Sequence, residues 1–285
     1  MKILITGADG QLGLSLKKVA PDNLDIFYYS RKQFDVCNLT QMELVISKVN
    51  PAFIVNCAAY TAVDNAEDNI EKCNGVNIQG VKNIIEICLK YSIKLIHVST
   101  DFVFDGTSNS PYSEENQTNP INIYGKSKLQ AEELINNSNY LNAIIIRTSW
   151  VFSEFGHNFV KTIIKLSKEN DELKIINDQY GKPTYAPDLA KVIYKLIEKP
   201  KYTTFNFSNE ITTTWHEFSK EIINETLKNQ QIEKAPTIIA IKSDQFPQKA
   251  KRPKNSSLDN KKISKHLNIT IRDWREVLKE CVKCM

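Results

Sequence analysis

Tyr124 and Lys128 stand four residues apart at the start of a helical pattern that continues through Leu129, Glu132, Glu133 and Ile135, and on a helix such a pair shares one face. A lysine ammonium beside a phenol favours the phenolate and lowers the tyrosine pKa from about 10, making the hydroxyl a proton donor and acceptor near neutrality. That chemistry suits a carbonyl and alcohol pair. The same spacing recurs by chance at Tyr28 and Lys32, but there it ends an extended apolar run, where four residues create no shared face. The first pair therefore takes its meaning from its surroundings.

The chain opens with a β-rich run over residues 2–6, then Gly7-Ala8-Asp9-Gly10-Gln11-Leu12-Gly13 and a helix-like stretch over 14–19. Strand, glycine turn and helix form the context in which backbone N–H groups and a helix N-terminus receive a pyrophosphate; a plain strand-to-helix turn is the bland alternative. The spacing is GxxGxxG, which resembles the extended short-chain dehydrogenase/reductase pattern. A second strand over 25–29 ends at Ser30 and Arg31, where an NAD enzyme would carry an acid for the ribose 2′-hydroxyl. Arg31 suits a 2′-phosphate, which favours NADPH over NADH, unless it is only a solvated loop charge.

Further strands are expected over 53–56, 94–98 and 143–148, with a long helical pattern over 67–91 and helices over 158–168 and 188–199. This alternation predicts an α/β fold, a Rossmann-type doubly wound parallel sheet. The fourth strand delivers Ser99-Thr100-Asp101-Phe102 to its carboxyl end, where such sheets bind ligands. Past residue 150 the alternation weakens. A short strand over 173–176, helices over 213–227 and 271–282 and a return of 204–207 to the sheet predict a smaller, discontinuous lobe. The expected division is 1–149 with 185–207 against 150–184 with 208–285. The basic run 248–256 is either a solvated surface or a surface facing a diphosphate.

Length 285, 41% apolar and 25% charged residues describe an ordinary globular protein, and a net charge of +4 with interspersed signs implies no nucleic-acid partner. With neither a signal-like start nor an apolar run of about 18 residues, a cytoplasmic protein without membrane contact is expected. Of six cysteines, Cys57 and Cys88 read as buried thiols, and Cys281 and Cys284 as part of a frayed, reduced C-terminus. His97, His157, His216 and His266 lack metal-ligand spacing.

With these stretches placed, nearly the whole chain resembles the dTDP-4-dehydrorhamnose reductase family of extended short-chain dehydrogenases/reductases. The resemblance rests on the glycine turn, residues 56–64, Ser99-Thr100-Asp101 with 103–106, Tyr124 to Lys128, 147–151, the Asp178-Gln179-x-Gly181-x-Pro183-Thr184 loop and Arg252-Pro253 with Ser256. It implies reduction of the C4 ketone of a dTDP-4-keto-6-deoxy-L-hexose by NADPH, giving dTDP-L-rhamnose. Tyr124, Lys128 and Thr100 are the implied catalytic residues. Implied cofactor positions are Gly7, Gly10, Gln11, Leu12, Gly13, Ser30, Arg31, Asp35, Val36, Ala58, Ala59 and Tyr60, together with Tyr124 and Lys128. Thr61, Val63, Asp101, Phe102, Trp150 and Arg252 are the implied substrate contacts. Phe102 replaces a tyrosine common in relatives, and Ser15 replaces a glutamate that some relatives use at a magnesium-linked dimer contact. No metal and a monomer or weak homodimer are therefore expected. Rival readings are a reductase of another nucleotide 4-keto-6-deoxy sugar, and a non-catalytic nucleotide-binding subunit like the β subunit of methionine adenosyltransferase.

Overall fold

The computed structural model describes residues 1–139 and 142–285. Its first half alternates β1 (Lys2–Thr6), α1 (Gln11–Lys18), β2 (Asp25–Tyr29), α2 (Leu39–Val49), β3 (Phe53–Asn56), α3 (Val63–Asp68), α4 (Ile70–Asn74), a π-helical turn (Gly75–Gln79), α5 (Gly80–Tyr91), β4 (Lys94–Thr100), a 3₁₀ turn (Asp101–Val103), α6 (Ile123–Asn137) and β5 (Ala143–Thr148). The second half contains β6 (Val151–Phe152), α7 (Phe159–Glu169), β7 (Glu172–Ile176), β8 (Tyr180–Gly181), β9 (Thr184–Tyr185), α8 (Ala186–Glu198), β10 (Thr204–Asn206), β11 (Thr213–Thr214), α9 (Trp215–Lys228), β12 (Thr237–Ile241), α10 (Lys261–Leu267) and α11 (Trp274–Lys283).

Six strands form one parallel sheet in the order β10-β5-β4-β3-β1-β2. Side chains alternate across a strand, so Ile3 and Ile5 pack on one face with Leu16 of α1, the apolar side of α8 and Ile263 of α10. Leu4 points to the other face, among Met42 and Ile46 of α2, Ile84 and Ile87 of α5 and Ala131 of α6. Strand order reverses at β1, whose neighbours are β2 and β3, and a crevice opens at such a switch point beyond the strands' carboxyl ends. A separate core gathers Phe152, Ile163, Phe218, Ile222, Trp274 and Leu278 from β6, α7, α9 and α11.

The expected strands and the return of 204–206 to the sheet are present, with β4 continuing to Thr100. The long helix expected over 67–91 is instead broken at Asn69, whose φ and ψ are −126° and 51°, and widened into the π turn. The widening serves Asn77, which is buried and exchanges hydrogen bonds with the Tyr60 backbone while donating to Ser127 Oγ at 2.9 Å. The C-terminus is not frayed either: Cys281 is fully buried in the α7/α9/α11 core, where amphipathic α11 anchors it, while Cys284 is exposed. Helices α2 and α10 and strand β12, paired with β7, were not legible as elements.

The basic run crosses from the second core to α3. Arg252 clasps Asp64 through two hydrogen bonds of 2.6 Å, Lys249 pairs with Asp68, and Asn122 donates to Lys251 O at 2.8 Å. Arg252 chiefly holds the Asp64 carboxyl down at about 2, so this stabilisation is complete above the unfolded value of about 3.9 and fades as pH falls through about 2. Asp64 is 43% exposed, which limits the pair to about 1 kcal/mol or less. Asp64→Asn is accordingly expected to lower the melting temperature only slightly while making residues 248–256 much more sensitive to limited proteolysis; an unchanged digestion pattern would refute the clasp.

Candidate functional site

The sheet's crevice begins where β1 ends. Gly7 has φ +63°, and a Cβ there would lie 2.9 Å from Ala58 N. At Gly13 a Cβ would come within 2.5 Å of Ala8 Cα and 2.6 Å of Gly7 O, so α1 can start this close to the loop only with glycine. Gly10 caps α1 without a side chain, leaving the first N–H groups of the helix facing the crevice. Gln11 and Leu12 line the same wall. The Gln11 side chain is committed elsewhere, donating to Val151 O and accepting from Ser153 and Asn158.

Two connected hollows share the loop. The smaller, about 260 Å³, is lined by Gly7, Gly10, Arg31, Asp35, Val36, Ala58, Ala59 and Tyr60 among others. Arg31 stands on its rim, 72% exposed and 3.6 Å from Asp35. Ser30 does not line it; its hydroxyl and N–H both bond Gln33 Oε1. The larger hollow, about 640 Å³, runs from the glycine loop past Thr61, Val63, Thr100, Asp101 and Phe102 to Tyr124, Lys128 and Trp150. Cys57 belongs to its wall and is half-buried rather than a core thiol, because it lies just past the end of β3.

Tyr124 sits in the first turn of α6, whose cap Asn122 accepts from Gly125 N at 2.7 Å. At Gly125 a Cβ would fall 2.2 Å from the Phe102 carbonyl oxygen. The 3₁₀ turn thus packs directly against α6, with the Phe102 ring edge-on to Tyr124 at 5.9 Å. Thr100 caps that turn by accepting from Phe102 N at 3.2 Å and donates to Asp101 Oδ1 at 3.0 Å.

The electrostatics differ from the expectation at the tyrosine. Burial raises the Tyr124 pKa, with Asp101 adding to the rise and only the Thr100 hydroxyl opposing it. Lys128 does not depress it because its ammonium position is turned into the fold: Nζ lies 2.7 Å from Val98 O and 3.1 Å from His97 Nε2. Burial brings Lys128 itself down to about 8, against Glu132. Glu132, one turn further along α6, takes three hydrogen bonds from Arg147 and one from Ser99. Asp101 is buried with Oδ2 unpartnered among the described residues, and burial lifts its carboxyl to about 7 despite the nearby Ser256 hydroxyl.

Trp150 closes the far end with φ +46°. Its ring stacks on Trp215 at 3.4 Å and 7°, and a Cβ on Gly181 would penetrate it at 2.4 Å. A neighbouring apolar hollow of about 360 Å³ continues past Phe102, Trp150, Phe159, Trp215 and Arg252. Arg252 reaches its rim with its fork held on Asp64. Among the described residues, no three His, Cys, Asp or Glu side chains are grouped to hold a metal. Trp215, His97, Asn77 and Glu132 join the site through the fold; of these, Glu132 alone, at i+4 from Lys128, carries a signal in its spacing.

The RmlD substrate binding domain model matches residues 1–285. The chain is 38% identical to a dTDP-4-dehydrorhamnose reductase of Aggregatibacter actinomycetemcomitans, over 98% of this chain and 97% of that one. It is also similar to the crystal structure of the Bacillus anthracis dTDP-4-dehydrorhamnose reductase in complex with NADP, at TM-score 0.93 and 34% identity, covering 100% of this chain and 99% of the other. The Clostridium acetobutylicum dTDP-4-dehydrorhamnose reductase structure gives TM-score 0.92 and 35% identity over 99% of both chains. A match from end to end, joined to relatives that are covered over nearly their whole length, means that the chain belongs to the RmlD substrate binding domain family.

Proposed function

We propose that this protein is an NADPH-dependent oxidoreductase that reduces the C4 ketone of dTDP-4-dehydro-6-deoxy-L-mannose to dTDP-L-rhamnose. The observation that carries the reading is the convergence of Thr100, Tyr124 and Lys128 on one hollow with the glycine loop at its other end. The relatives' names, with NADP in one of their structures, give the substrate and cofactor class.

The residues present fit a dinucleotide. Gly7 and Gly13 form a cradle that a Cβ would fill, and the open N-terminus of α1 faces it. Ala58, Ala59, Tyr60, Asp35 and Val36 would flank the adenosine, and the exposed Arg31, paired with Asp35 at the rim, would meet a 2′-phosphate. When bound, the reduced nicotinamide supplies the hydride.

The protein's own work is to hold the carbonyl and move a proton. The Thr100 hydroxyl and Tyr124 phenol would face the ketone oxygen, and a donor aimed at a developing alkoxide in a dry site is worth several kcal/mol, roughly 3 by analogy with oxyanion holes. The raised Tyr124 pKa keeps the phenol protonated, the form that a reduction needs. As the alkoxide forms, Tyr124 gives its proton to that oxygen, while Lys128, one helical turn away, would hold the nicotinamide ribose with the N–H that Val98 O and His97 leave over. Thr61, Val63, Asp101, Phe102 and Trp150 would contact the sugar, and Arg252 its nucleotide end from the adjoining hollow. The sheet domain, 1–149 with 185–207, would carry the cofactor and the remainder the nucleotide sugar, although α10 packs on the sheet side through Ile263. No magnesium contact is proposed at Ser15, whose buried hydroxyl donates to Gln11 O at 2.8 Å. The protein would act as a monomer or weak homodimer in the cytoplasm; among the described residues no helix is long and apolar enough to cross a membrane.

Adding dTDP-4-keto-L-rhamnose to protein saturated with NADPH should consume the cofactor's absorbance, and no loss would defeat the reductase reading in favour of nucleotide binding alone. Tyr124→Phe should lower turnover by about 10²- to 10⁴-fold with NADPH affinity near wild type; preserved turnover would remove Tyr124 from the role of acid. Arg31→Ala should weaken NADPH roughly tenfold or more relative to NADH, whereas equal losses would assign Arg31 to the solvated surface. Lys128 is protonated below and neutral above its midpoint, so turnover should decline as pH rises through about 8; a profile flat well beyond that point would contradict a role for its proton.

A further inference from the structure

Lys128 ends a buried chain of hydrogen bonds that the proposed proton transfer leaves unused. Thr6 Oγ1 donates to Asn56 Oδ1 at 2.7 Å, Asn56 Nδ2 lies 3.0 Å from His97 Nδ1, and His97 Nε2 lies 3.1 Å from Lys128 Nζ. None of the four residues is more than 2% exposed. The polarity of this chain follows from one end. The Ala58 backbone N–H points to both Thr6 Oγ1 and Asn56 Oδ1, each at 3.2 Å. A backbone N–H only donates, so the Asn56 atom facing it is the oxygen. The Asn56 amide group then faces His97 Nδ1 and needs a lone pair there. Burial keeps this imidazole neutral, which leaves its single proton on Nε2, aimed at Lys128. An ammonium has no lone pair to accept it, whereas an amine has one and still donates to Val98 O at 2.7 Å.

We propose that Asn56 and His97 are positioning residues for Lys128, forming a one-way hydrogen-bond wire that donates to the lysine and favours its neutral amine over its ammonium. Recharging the lysine requires the His97 proton to move to Nδ1 and Asn56 to turn its oxygen toward it. That reversal deprives the Ala58 N–H of one acceptor, and Ala58 N borders the glycine loop, 2.9 Å from where a Gly7 Cβ would lie. The wire thereby couples the proton on Lys128 to the backbone beneath the proposed pyrophosphate site. The other titratable groups facing Lys128 are Glu132 on its own helix, Cys73 on α4 and Cys57 beyond β3; these favour its charge, and burial opposes them. The inference deepens the reductase reading, from which Lys128 takes its task, but its proton can be followed without turnover.

Nitrogen NMR of the full-length protein labelled at histidine and lysine provides the test. Just above the lysine midpoint, His97, assigned by loss of its signal in His97→Gln, should show the Nε2–H tautomer, and Lys128 should lose its proton near 8 instead of 10.5. In Asn56→Asp the new carboxylate accepts from Ala58, Thr6 and His97 alike. The ring proton should then sit on Nδ1, and the Lys128 midpoint should rise by about one unit or more, carrying the alkaline limb of turnover upward. A wild-type His97 with its proton on Nδ1 at that pH, or a tautomer unchanged in folded Asn56→Asp, overturns the wire. Both tautomers as stated, with no NADPH oxidation on substrate addition, would uphold the wire and count against the reductase reading alone.

Discussion

The contact on which the site depends is the one between the first turn of α6 and the Phe102 carbonyl, made where Gly125 has no Cβ. It sets the carboxyl end of β4 against the helix that carries Tyr124 and Lys128, so that Thr100 and the phenol meet although 24 positions separate them in the chain. Asn122 secures the arrangement twice, accepting from Gly125 N and donating to Lys251 O across the crevice. Any side chain at Gly125 would have to move a backbone carbonyl, which cannot relax as a flexible side chain can.

Behind this contact lies a charge that the fold has largely taken out of water. Burying a lysine disfavours its ammonium, and the fold partly offsets this with Glu132, whose carboxylate is fixed by Arg147 and Ser99. Breaking that buried pair would leave an uncompensated charge, which typically costs about 3–5 kcal/mol. Burial also lifts Asp101 to about 7 and Tyr124 above its ordinary range. Three shifted groups lining one hollow suit a proton-transfer site.

The two cores are tied together by side chains that also shape the crevice. Gln11, at the start of α1, bonds Val151 backbone, Ser153 and Asn158 on the far side. Trp150 takes a left-handed backbone conformation that a bulky residue rarely adopts, and its stack on Trp215 together with the bare Gly181 makes room for it. Such local strain persists where surrounding packing fixes it, and it is common at ligand sites.

The sheet is readable from the amino-acid order alone, because runs such as Ile3-Leu4-Ile5 and Ile144-Ile145-Ile146 bury both faces and need no partner to be recognised. The glycine loop and the Tyr124–Lys128 face are readable there too, since each is set by residues close together in the chain. Elements held by distant contacts were not legible: β12 exists through pairing with β7, and the π turn through Asn77's bonds to Tyr60 and Ser127. Long-range packing alone brings Arg252 to Asp64, Trp215 behind Trp150 and His97 behind Lys128. Protonation belongs with these. Spacing can place a lysine on the same helical face as a tyrosine, but the burial and hydrogen-bond partners that govern its charge come from strands and loops far away in the chain.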